Sequence, residues 1–450
     1  MNLTEGKISK LILKIAVPAG VGMMFHTFYN LIDTYWAGQF SAEGLAALSL
    51  SFVPFLLVIS IGVGISQGTN ALISNALGAK NLIKAKHYQQ QALTLSFILS
   101  VILAFIGWQI SPWIFGIMGG KGEVLKFALE YINIIWIGAP FMVLVQTLNS
   151  GLTAQGDTKT NRNALIVGFL VNIILDPLFL FGWGPIPAFG IGGIAWATVL
   201  IQMVVMLYIA YKLYSSKLMK DCKLGEYKLN KEVSTDIIYQ GAPASLSMML
   251  VTAGVFIITS YVGRFGDFAI AAYGVALRVE QIGFLPTIGL NMAALSLTGQ
   301  NHGAGLTERV KTTFFKSAKY GFLMMSMGSI LVYTFANLMM RLFTTEPEVI
   351  RIGVEYLQID AFALPAYALL FLSVAVLQGL KRPIFGLVIN ISRHIFAPLL
   401  IFSFLVNYLE WGLLGVWWGI FIITWIAASI TVGYLLFTQK WSLMSDTSDT

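Results

Sequence analysis

The chain has 450 residues, of which 57% are hydrophobic and 11% charged, with a formal net charge of +7. A soluble globular domain carries about 25% charged residues, so this composition excludes a soluble enzyme or binding module and describes an integral membrane protein. The single cysteine, Cys222, excludes a disulfide framework and any multi-cysteine metal site.

A membrane span needs about 20 mainly apolar residues, and twelve such stretches follow one another along the chain. The first half holds Leu11–Trp36, Leu45–Thr69, Tyr88–Trp108, Ala128–Gly151, Ala164–Trp183 and Gly190–Tyr214. The second holds Ile238–Val262, Phe268–Thr298, Ala318–Met340, Val354–Gly379, Phe385–Asn407 and Gly412–Phe437. The first run is too long for a signal-peptide core and carries no small-residue cleavage pattern, so it reads as a span. Lysine and arginine set the orientation, because cytoplasmic loops keep positive charge. Of these residues, 21 fall in the N-terminal stretch, the even-to-odd loops and the C-terminus, against 5 on the other side. Both termini are therefore expected in the cytoplasm. The same asymmetry explains the basic charge without a nucleic-acid partner.

A shift of 225 residues superposes the two halves of the sequence. Pro18 meets Pro243, Gly38 meets Gly263, Gly64 meets Gly289, and Gly78-Ala79 meets Gly303-Ala304. With small gaps, Asp176-Pro177 meets Ala397-Pro398, and Gly190, Gly193 and Trp196 meet Gly412, Gly415 and Trp418. Six spans per half is an even number, so the repeats run parallel, about an axis along the membrane normal. The expected organisation is a lobe over 1–213, a lysine-rich linker over 214–237 and a second lobe over 238–450. Such symmetry suits alternating access between two bundles.

The symmetry breaks at two acids. Asp33 lies in the first span opposite Ile258, and Asp176 lies in the fifth opposite Ala397. The fold does not need them, because the second half builds the same spans without them. A carboxylate deep in a span is costly and by default faces the bundle interior to do work. Tyr29 and Asn172 each precede an acid by four residues and so share its helix face. Desolvation disfavours the charged form of any buried carboxyl, and a second carboxylate nearby adds to this, which suits proton exchange. Pro18, in the middle of the first span, removes a backbone hydrogen bond and favours a kink. Arg278 and Glu280 in the eighth span and Asp360 in the tenth are candidates for a polar cavity in the second half. Arg393 and His394 lie in the eleventh. The four histidines show no metal-binding spacing, and no phosphate-binding loop or catalytic triad is present, so neither a resident metal nor an enzyme is expected.

These residues resemble, over nearly the whole chain, the multidrug and toxic compound extrusion (MATE) family. The likeness rests on Pro18 with F-Y-N-L-I-D-T-Y-W-A-G around Asp33, G-L-A-A-L-S-L-S-F-V-P-F after it, and L-V-N-I-I-L-D-P-L-F-L-F-G around Asp176. In the second half it rests on A-L-R-V-E-Q, P-T-I-G-L-N and G-Q-N-H-G-A-G. The resemblance implies an all-α, V-shaped bundle of twelve helices in two lobes, working as a monomer in the lipid bilayer. It would export amphiphilic, mostly cationic small molecules against an inward ion gradient, with no cofactor beyond the coupling ion. In the DinF-like, proton-coupled branch the site is an acid pair, matched here by Asp33 and Asp176, with Tyr29, Asn172 and Tyr131 as polar neighbours and Pro18 as the bending proline. Gln146 stands where the family often has asparagine. The NorM-like branch carries acids at positions matching Val251 and Tyr367, both uncharged here, which argues against a sodium site of that kind. Sodium at the Asp33–Asp176 pair remains the alternative to protons. Phe25, Phe28 and Tyr35 are candidates to line a cavity for lipophilic cations. A lipid-linked saccharide flippase of the same superfamily is the other alternative, disfavoured because the buried charge of the first half is acidic.

Overall fold

The computed structural model describes residues 1–220 and 227–439. Cys222, Lys223 and part of the linker, and Lys440 with the C-terminus, lie outside the described residues. Among the described residues, fourteen α-helices follow in chain order. They are α1 (Ile8–Phe40), α2 (Ala42–Gly78), α3 (Leu82–Ile117), α4 (Gly122–Ala154), α5 (Lys159–Phe181), α6 (Ile191–Tyr214), α7 (Lys231–Val262), α8 (Asp267–Gly303) and α9 (Thr307–Arg341). The remainder are α10 (Pro347–Ala361), α11 (Leu364–Gly379), α12 (Pro383–Ile391), α13 (Ala397–Phe402) and α14 (Gly412–Gln439). Helices dominate because a backbone in hydrocarbon must satisfy its own hydrogen bonds. Side chains start several of them. Ser41 Oγ accepts from the Gly44 N–H at 2.9 Å, and Asn81 Oδ1 accepts from the Lys84 N–H at 2.9 Å, each replacing a partner that the first turn of a helix lacks.

Among the described residues, eleven helical stretches are long and apolar enough to cross a bilayer, and a twelfth is the pair α10–α11, bent by 52°. The sequence reads Val354–Gly379 as one continuous span, and the structure corrects this. Pro365 at the start of α11 has no N–H to continue the ladder, so the helix breaks at Phe362 and Ala363. The eleventh span, Phe385–Asn407 by sequence, is also irregular. Two π-helical segments, Ser392–Phe396 and Ser403–Tyr408, flank the short α13.

Two compact units divide the chain at places other than the predicted linker. Unit 1 is Met1–Asn2 with Pro18–Ser245, and unit 2 is Leu3–Val17 with the chain from Leu246 onward. The boundaries therefore run through α1 and α7. Unit 2 owns the start of α1, whose Ile8, Leu11, Ile12 and Ile15 pack into one core with Leu290, Leu297, Phe314 and Leu377. Hydrogen bonds anchor the preceding residues: the Leu3 N–H donates to Gln300 Oε1 at 3.1 Å, and Arg309 Nη1 donates to the Gly6 carbonyl at 3.1 Å. Unit 1 owns the start of α7, where the Tyr88 hydroxyl donates to Asp236 Oδ2 at 2.8 Å. Each divided helix changes unit beside a proline, Pro18 in α1 and Pro243 in α7. Sequence composition marks a linker, but a helix is assigned to a unit by the face it buries, and composition does not carry that.

Candidate functional site

The core of unit 1 holds the two acids that break the repeat. Asp33 is 5% exposed and Asp176 0%, and Asn172 and Tyr131 are also buried. Asn172 bridges the acids: its Nδ2 donates to Asp33 Oδ1 at 3.0 Å and to Asp176 Oδ1 at 2.8 Å. The bridge exists because Asn172 lies one helical turn before Asp176 on α5, so both point the same way into the α1–α5 contact. The two carboxyls are also within hydrogen-bonding reach of each other. Asp176 Oδ2 and Asn172 Oδ1 are buried without a partner. An unpaired buried acceptor costs about 1–3 kcal/mol, a cost that a further donor at these atoms would remove.

Tyr29 serves this pair through an intermediary. Its hydroxyl donates to Thr198 Oγ1 at 3.0 Å, and Thr198 Oγ1 lies 3.5 Å from Asp33 Oδ2. Thr198, on α6, is the member that sequence reasoning misses. Its signal was available: in the register of Trp196 and Trp418, Thr198 faces Ile420, so it too is private to the first half. Tyr131 faces both acids electrostatically from α4. Gln146 does not join them. It lies 15 residues beyond Tyr131 on the same helix, about 22 Å at 1.5 Å per residue, with its side-chain amide against Gly62 of α2. Among the described residues the groups that meet this pair are Tyr29, Tyr131, Asn172 and Thr198, and none is basic.

If Tyr29 acts only through Thr198, Tyr29→Phe and Thr198→Val should each weaken the site by one neutral hydrogen bond. That is about 1 kcal/mol, or about fivefold in transport rate. The double variant should do little more than either single one. Efflux rates from liposomes containing the four proteins check this, and additive losses would show that the two residues act separately.

The other candidates separate. Phe25 packs edge to face on Phe28 and Phe169, which are tilted against each other, with ring centroids 5.5–6.1 Å apart, on the side of α1 that also carries the exposed Tyr35. In unit 2, Arg278 is exposed while Glu280 and Asp360 are buried, so Arg278 and Glu280, two residues apart, do not act together. The Tyr356 hydroxyl donates to Glu280 Oε2 at 3.0 Å. Asp360 and Arg393 share this neighbourhood. The sequence names all three charged residues, but on separate spans.

Comparison with known proteins matches the chain to a family. The MatE family model matches the chain twice, over residues 18–178 and 243–403. The two matches begin 225 residues apart, which is the repeat read from the sequence. A probable multidrug resistance protein of Bacillus subtilis is 30% identical over 90% of this chain and 88% of its own length. An FAD transporter of Shewanella oneidensis is 27% identical, covering 88% of each chain. The solved structure of a MOP superfamily transporter from Pyrococcus furiosus superposes with a TM-score of 0.92, at 28% identity, over 98% of this chain and 97% of that one. The chain belongs to the MatE family: it is a membrane transporter, not an enzyme.

Proposed function

We propose that this MATE transporter is a proton-coupled antiporter of the DinF-like kind, exporting amphiphilic, mostly cationic compounds by alternating access. The observation that carries this reading is the buried Asp33–Asp176 pair, bridged by Asn172 and met by no basic side chain. An ionised acid at the centre of a span costs about 3 kcal/mol on insertion scales, and a fold that dispenses with both acids in its other half gains nothing structural from them. With one proton the two carboxyls form a hydrogen-bonded dyad of charge −1. Without it, two like charges face each other across Asn172. The positive charge that relieves this comes from solution, as a proton or a cationic substrate, and competition between the two for one site is antiport. Pro18, where α1 passes from one unit to the other, is the joint at which the helix would bend when the charge changes. A location in the cytoplasmic membrane with both termini inside is part of this reading, supported by the bacterial origin of the relatives and by the lysine and arginine asymmetry. It would work as a monomer.

The test is efflux of a fluorescent cation from liposomes under imposed proton and sodium gradients, applied separately. The reading expects a response to the proton gradient and none to sodium. A sodium response alone would replace the coupling ion at the same pair. The FAD transporter relative supplies a further arm: FAD is anionic, and an acidic site without a basic partner should not carry it. Asn172→Ala should cut proton-driven efflux by at least about 10-fold, which corresponds to the loss of one charge-assisted hydrogen bond of about 1.5 kcal/mol, although two such bonds are removed. Removal of the bridge is partly offset by water entering the space.

A further inference from the structure

Unit 2 has a buried acid pair of its own, carried on different helices. Glu280 sits on α8 and Asp360, 3% exposed, on α10, with Asp360 Oδ1 unpartnered. Arg393, on the π-helical segment Ser392–Phe396, acts electrostatically on both and packs on Tyr367, which meets Glu280. Its guanidinium lies 4.7 Å from the centroid of the Tyr367 ring and 6.0 Å from that of Phe371. It makes no direct hydrogen bond or ion pair to either carboxyl among the described residues. Tyr273, Tyr356 and Tyr367 complete the titratable groups around the acids, and His394 is the other titratable neighbour of Arg393.

The repeat gives this arrangement meaning. In the register of Asp176 and Ala397, Arg393 is the counterpart of Asn172. In the register of Pro18 and Pro243, Tyr356 is the counterpart of Tyr131, and Gly254 of Tyr29. The neutral amide that bridges the acids of unit 1 is thus replaced in unit 2 by a permanent cation. The backbone is adapted to hold it. The α5 segment around Asn172 is regular α-helix, whereas the segment around Arg393 is π-helical, a local insertion that re-aims side chains. The absence of a side chain at Gly254 makes room for that turn: a Cβ there would stand 2.4 Å from His394 Nδ1.

We propose that Arg393 is a tethered counter-ion for the Glu280–Asp360 pair, filling the role that an exchangeable cation fills at Asp33–Asp176. A buried acid pair requires compensating positive charge. A guanidinium keeps its proton throughout the physiological range, and its attachment to the chain means it cannot be exchanged. Unit 2 therefore binds no free monovalent cation while Arg393 is present, which confines ion exchange to unit 1. Arg393 is a specificity-determining residue for coupling, and its removal opens a second site for a monovalent cation or a proton. The parallel with unit 1 rests on the proposed function, whereas the assignment of Arg393 to its acids does not.

The experiment reads binding rather than transport, so its failure is distinguishable from failure of the antiport reading. Thermal unfolding of the purified full chain is followed in sodium chloride and in choline chloride at equal ionic strength, on a D33N/D176N background that silences unit 1. The background protein should unfold at the same temperature in both salts. Adding Arg393→Gln should create a sodium-specific or low-pH-specific rise of several degrees, which a further Asp360→Asn removes, while Arg393→Lys should create none. A sodium or low-pH response already present on the background, or neither gained with Arg393→Gln when the scans are repeated at lowered pH, overturns the proposal. If Arg393→Gln folds poorly, the cycle with Asp360→Asn decides. The double variant should be more stable than Arg393→Gln alone, because removing the acid relieves the charge the arginine had compensated. Additive losses overturn the assignment.

Discussion

Asp33→Asn is expected to abolish ion-driven efflux while leaving the protein folded and inserted. Asparagine has the shape of aspartate, and its side-chain oxygen can still accept the hydrogen bond that Asn172 donates at 3.0 Å. The site loses its charge and its ability to exchange a proton. A charge-assisted hydrogen bond is worth about 2–3 kcal/mol, which corresponds to a loss of about 30- to 150-fold, and a step that depends on proton exchange should fall to background. Stability should move the other way. The neutral variant no longer carries an acid in the membrane core, so its unfolding temperature should equal or exceed that of the native protein, as happens where function is maintained against stability. Asp176→Asn should behave alike, because Asn172 approaches its Oδ1 in the same way at 2.8 Å. Efflux under a proton gradient and thermal unfolding of the same preparations check both halves. Normal efflux by the Asp33→Asn protein would sink the coupling assignment, whereas a collapse in stability would show that the acid is structural.

Gly68→Ala and Gly64→Ala are expected to cost stability in unit 1, because there α2 crosses the start of α7 backbone to backbone. A Cβ at Gly68 would stand 2.6 Å from the Gly241 nitrogen and 2.9 Å from the Gln240 carbonyl carbon. One at Gly64 would stand 2.7 Å from the Gly241 oxygen and 1.8 Å from Ser245 Oγ. The serine hydroxyl can rotate away, but a backbone atom can move only with its helix. Restoring an ordinary contact of 3.4 Å from 2.6 Å needs a shift of about 0.8 Å in α7, and overpacking of this kind costs about 1–3 kcal/mol. Unit 2 offers the internal contrast. The repeat counterparts of Gly68 and Gly241 are Ala293 and Ala16, both buried in one core, so unit 2 accommodates methyl groups at the corresponding places. Gly274→Ala and Gly328→Ala, with nothing within 4 Å of the added carbon, should be neutral or stabilising by up to about 1 kcal/mol. Unfolding temperatures of the four variants check the ranking. If the alanines at 64 and 68 behave like those at 274 and 328, the close crossing is not what holds the start of α7 to unit 1.

The sequence by itself determined the membrane class, the order of the twelve apolar spans though not the full length of their helices or the break in the tenth, the repeat and the two acids. All of these depend on local content or on comparing the chain with itself. Hydropathy over about 20 residues identifies a span, and a shift of 225 residues exposes what one half has and the other lacks. It could also place Asn172 beside Asp176, because a four-residue spacing fixes a shared helix face. What the spacing could not say is which helices meet. Only the tertiary structure brought Thr198 on α6 between Tyr29 and Asp33 on α1, set Gln146 apart from the acids, and gathered Glu280, Asp360 and Arg393 from three spans. It also divided α1 and α7 between the two units. The physical reason is common to all four. Helical periodicity fixes the direction of a side chain about its own axis, but the partner across the interface is chosen by how the faces of separate helices pack, which no window along one helix contains.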